Sequence, residues 1–81
     1  MDRTTFSSRE IIKGLSKHGF IPVGGKGSYT TLQYENEDTG EVRTVTAPKA
    51  DPIPNGTLHD IADQAGANDF HNFCRWIDAV V

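Results

Sequence analysis

The sequence predicts an α+β fold: a three-stranded antiparallel sheet with helices on one face. Three observations predict it. Apolar residues recur at helical spacing near both ends of the chain. Between them, short stretches alternate in strand fashion or are rich in valine and threonine. Glycine-bearing segments join those stretches. The predicted order is helix, strand, strand, strand, helix, then a C-terminal helix.

Each element has a local cause. Ser7 and Glu10 form a capping box, with Phe6 and Ile11 placed as the hydrophobic staple around it. Ile11, Ile12 and Leu15 form the buried stripe of the first helix, and Gly19 ends it. Phe20-Ile21-Pro22-Val23 reads as a short strand, and its proline places it at an edge. Tyr29 to Glu35 alternates, with Thr30, Leu32 and Tyr34 on one side and Tyr29, Thr31 and Gln33 on the other. Asn36 to Gly40 is a polar turn, Val42 to Ala47 the return strand, and Pro48 to Pro54 a loop. Leu58, Ile61, Ala62 and Ala65 stripe a second helix closed by Gly66. Asn68 is the expected cap of a third, with Phe70, Phe73, Cys74 and Ile77 on its apolar face.

A chain of 81 residues fits one domain with one modest core. A hydrophobic fraction of 36% argues against disorder. No apolar run approaches the roughly 20 residues of a membrane span, and the first residues carry no signal-peptide core. The single cysteine, Cys74, excludes an internal disulfide and a cysteine-built zinc cluster, and reads as a buried small hydrophobe. These features together predict a cytoplasmic location.

The formal net charge of -3 has the wrong sign for a nucleic-acid binder taken as a whole. The charges are nonetheless segregated. Arg9, Lys13, Lys17 and Lys26 lie in the first third, and Arg9, Lys13 and Lys17 share one exposed helix face. Acidic residues cluster at Glu35-Glu37-Asp38, Glu41 and Asp60-Asp63. A local basic face therefore remains open to phosphate.

Gly24-Gly25-Lys26-Gly27-Ser28-Tyr29 precedes a strand, so it is neither a Walker motif nor a dinucleotide fingerprint. Its glycines let backbone N–H groups approach a phosphate, and Lys26 adds charge. The simpler reading is a hairpin connection. Downstream comes Ile53-Pro54-Asn55-Gly56-Thr57-Leu58, running into Ile61-Ala62-Asp63-Gln64-Ala65-Gly66. In this order and spacing, the two segments resemble the HicA (YcfA-like) family of toxin-antitoxin systems. The resemblance spans about Ser7 to Ala67.

That resemblance implies a double-stranded-RNA-binding-domain-like fold, an mRNA interferase that cleaves RNA without a metal or other cofactor, and neutralisation by a HicB-like antitoxin. It also implies an RNA-facing surface made by the first helix and the glycine segment, with Arg9, Lys13, Lys17, Lys26, Gly27 and Ser28 as contacts. One residue departs from the pattern. The family reads Gly-Ser-His and its histidine does the chemistry; here the third position is Tyr29. Activating a ribose 2′-hydroxyl calls for a base that titrates near neutrality. A phenol, with an ordinary pKa of about 10, serves poorly, but it can donate to phosphate or stack on a base. The expectation is a HicA-like RNA binder with cleavage lost or weak. The alternative is a non-catalytic protein-interaction module of the same fold.

The histidines His18, His59 and His71 fit no metal spacing. His18 reads as a cap at the end of the first helix, and the other two as solvent-facing helix residues. Trp76 reads as packing.

Overall fold

The computed structural model describes residues 3–81. The elements run α1 (Ser8–Lys17), β1 (Ile21–Lys26), β2 (Tyr29–Glu35), β3 (Val42–Pro48), α2 (Asn55–Gln64) and α3 (Phe70–Asp78). The strands form one antiparallel sheet in the order β1-β2-β3. This is the α+β architecture and element order that the periodicities predict.

Helix α1 starts as its sequence dictates. The Ser7 side chain accepts from the Glu10 N–H and the Glu10 carboxylate accepts from the Ser7 N–H, while Phe6 and Ile11 are both buried. The core lies between the helices and one sheet face. Leu32 of β2 pairs with Val45 of β3, and both are fully buried with Ile11, Leu15, Leu58 and Ile61. Each such aliphatic side chain contributes about 1.5–3 kcal/mol on leaving water. Helix α3 packs mainly on α1 and α2 and adds Phe73, Cys74 and Ile77 to that core. Its contact with α1 is close at Gly14, where a Cβ would stand 2.8 Å from the Ile77 side chain.

The structure corrects three boundaries. The first strand does not stop at Val23 but runs to Lys26, through Gly24 and Gly25. Glycine has no side chain to oppose pairing, and the ladder continues as Gly24↔Thr31, Gly25↔Thr30 and Lys26↔Tyr29. Val23 is the bulged residue, and Pro22 is tolerated because β1 is an edge strand. The glycine segment therefore shrinks to a turn at Gly27-Ser28. The return strand also extends by one residue, to Pro48, which pairs with Tyr29. At α3 the capping side chain is Asp69, not Asn68: its Oδ1 accepts the Asn72 N–H at 3.0 Å. Either residue type can cap, and backbone geometry selects the one with the right phase.

Candidate nucleic-acid interface

The Gly27-Ser28 turn is held from the side by the segment after β3. The Lys49 N–H donates to the Ser28 carbonyl at 2.9 Å. One residue on, the Ala50 carbonyl accepts from the Ser8 N–H at 2.9 Å, and the Ile53 N–H donates to the Phe6 carbonyl at 2.9 Å. These backbone bonds bring the start of α1, the loop after β3 and the β1–β2 turn to one end of the molecule.

Cations gather at that end. Arg9 and Lys49 border one recess with Ser7, Ser8 and Asp51. Lys26 closes β1 beside the same turn and is exposed, as are Gly27 and Ser28. Lys13 and Lys17 are exposed on α1, successively farther along the helix from Arg9. The structure thus joins Arg9 and Ser28 through Lys49, flanks them with Lys26, and leaves Lys13 and Lys17 as a trail leading away. Sequence reasoning missed Lys49. It lies in what reads as a loop, and only the register of the hairpins brings it against Ser28.

Glu10 faces the same helix start but is already engaged. It pairs with Arg3, which also reaches Asp78. The Arg3 bond, then the Ser7 backbone N–H, hold the Glu10 carboxyl below its usual range. The Asn72 N–H does the same for Asp69 at the start of α3.

Tyr29 is the first residue of β2, and by alternation it shares the outer sheet face with Thr31 and Gln33. It is half-buried and not fully open to solvent. One side of it borders a cleft against α2, shared with Ser28, Thr46, Thr57, Asp60 and Gln64. Among the described residues, no hydrogen bond holds its hydroxyl.

The three histidines stand elsewhere. His18 caps α1, as expected, and does more. Its ring stacks on Trp76 at 3.6 Å, and its Nε2–H donates to the Trp76 carbonyl at 2.8 Å, so it also satisfies a carbonyl near the end of α3. His59 and His71 are exposed, and both rings lie against Phe70. None of the three borders the Tyr29 cleft. Among the described residues, no three His, Cys, Asp or Glu side chains group so as to hold a metal.

Residues 8–67 match the family model described as HicA toxin of bacterial toxin-antitoxin systems, which is well over half of the chain. The chain belongs to the HicA toxin family. Membership places it among toxins that work with an antitoxin partner. Searches of curated proteins and of solved structures return no significant match. The matched segment begins at α1 and ends just after Gly66, so it contains the turn, Tyr29 and the cationic end but not α3. Among the described residues, no helix is long and apolar enough to cross a membrane.

Proposed function

We propose that this HicA-family protein binds RNA through the end of the molecule carrying the Gly27-Ser28 turn, and cleaves it weakly or not at all. Tyr29 carries the reading. It follows the turn directly, at the third position of the family's Gly-Ser-His motif; its backbone pairs with Lys26 in the ladder, and Lys49 supports the turn before it. Phosphates are drawn to Lys26, Lys49 and Arg9, with Lys13 and Lys17 extending the track along α1. A phenol there retains stacking and hydrogen bonding but is a weak base at neutral pH. A HicB-like antitoxin neutralises the protein by covering the turn and α1. The protein is a cytoplasmic one in this reading.

The test is single-turnover cleavage of a long unstructured RNA in the presence of chelator. Tyr29→His raises cleavage about a hundredfold or more, the contribution of a well-placed acid–base group. Rapid cleavage by the unmodified chain, unaffected by Tyr29→Phe, rules out the assignment of Tyr29. A second reading, a non-catalytic protein-interaction module, draws on Ile21 and Val23, which are 64% and 56% exposed on β1. The two readings separate on salt, because phosphate binding weakens steeply with added salt and apolar docking does not.

A further inference from the structure

The cleft between α2 and the sheet is an odd neighbour for a phosphate-binding turn, because it carries a carboxylate. We propose that it is a nucleobase pocket selective for guanine; the proposal rests on the RNA-binding reading above. Thr57, Asp60, Ile61 and Gln64 follow one another at i, i+3, i+4 and i+7, so one face of α2 supplies one wall. Tyr29 and Thr46 supply the other. The cleft measures about 500 Å³, within the roughly 300–1,000 Å³ of small-molecule sites.

Its polar groups read one base edge. The Gln64 Oε1 accepts from the Thr46 N–H at 2.8 Å, so the amide is oriented and its nitrogen remains a donor. Asp60 is exposed, and none of the ion pairs among the described residues involves it, so no ion pair there engages its carboxylate oxygens. The cleft therefore presents a carboxylate and an amide N–H. All four bases can place one donor on the carboxylate and one acceptor on the amide, but guanine alone has two adjacent donors, N1–H and the N2 amino group, to engage both carboxylate oxygens at once, with its O6 acceptor left for the amide. Adenine and cytosine put a single amino donor beside a ring acceptor, and uracil has one N–H between two carbonyls. Tyr29 gives the base an aromatic face to stack on. The carboxylate repels phosphate, so the sugar–phosphate chain passes over Ser28, which borders the cleft and touches Lys49 on its other side. Base and backbone thus part company at the turn.

The experiment is fluorescence anisotropy of the full chain with labelled oligoadenylate hexamers carrying a single central G, A, C or U. The G-bearing hexamer binds about tenfold more tightly than the others, within the range of a good bidentate base contact. Asp60→Asn removes that preference, and the all-adenine hexamer binds at least as tightly as before, since a charge that repels phosphate is gone. Asp63→Asn, on the same helix but outside the cleft, keeps it. Equal binding of the four hexamers, or a G preference that survives Asp60→Asn, overturns the pocket and leaves RNA binding standing. No binding of any hexamer overturns both.

Discussion

The two hairpin ends of the sheet are opposites. At the β2–β3 end, the turn binds itself. The Asn36 Oδ1 accepts from the N–H groups of Asp38 and Thr39 at 3.0 and 3.3 Å, and its backbone exchanges bonds with Gly40 and Glu41. Arg43 then forks onto Glu41 at 3.2 and 3.0 Å. At the β1–β2 end, the described residues show no side-chain hydrogen bond to Gly27 or Ser28, and the Lys49 N–H to Ser28 bond is the turn's support from outside the hairpin. The first end is acidic, with Glu35, Glu37, Asp38 and Glu41; the second is flanked by Lys26 and Lys49. A turn that satisfies its own polar groups serves the fold. One that leaves them open, under a positive charge, is free to serve a ligand.

The comparison breaks most readily at Gly25. It has a φ of +144°, and a Cβ there would stand 2.6 Å from the Tyr29 carbonyl oxygen. Gly25→Ala lowers stability by about 1–3 kcal/mol, read as a shift in the urea midpoint. Gly27→Ala, two residues on, meets nothing within 4 Å and has no positive φ to lose, so its midpoint stays within about 0.5 kcal/mol of the parent. Equal effects of the two would mean that the backbone geometry at Gly25 does not set it apart from the turn.

At the other end, Asn36→Ala removes the acceptor of two turn N–H groups. It costs about 1 kcal/mol in the same urea measurement, with RNA retention unchanged. The smallest effect on folding comes from Lys26→Ala with Lys49→Ala, both exposed. Stability stays within about 0.5 kcal/mol. The slope of log affinity against log salt nevertheless falls by about 0.7 for each phosphate that is no longer neutralised. An unchanged slope would remove the electrostatic half of the contrast.

Local signals make most of the fold legible in advance. The Ser7–Glu10 box, the Leu58-Ile61-Ala62 stripe and the alternation from Tyr29 to Glu35 depend on neighbours in sequence, and each holds in the structure. The misjudged pieces depend on distant partners. Gly24 and Gly25 read as loop because their own propensity is for loop; the ladder to Thr31 and Thr30 overrides it. Lys49 is silent in sequence, since its importance comes from meeting Ser28 across the hairpin. The Asp60 and Gln64 wall is half legible. Their spacing on one helix face is plain, but the partner face, Tyr29 and Thr46, requires the register of β2 and β3. His18 shows the same limit: its capping of α1 is readable, its hold on α3 is not.

Helix α3 lies beyond the segment that matches the family, yet Phe73, Cys74 and Ile77 close the core against α1. A ribosome makes this helix after every element on which it rests. At about 5–20 residues per second, the nascent chain spends an interval with α1, α2 and the sheet present and Gly14 still without the Ile77 side chain that packs against it. A message broken ahead of the α3 codons therefore directs synthesis of a polypeptide with a missing wall, open to proteases. The chain's arrangement makes translation through α3 a condition for closing the core that supports the cationic end.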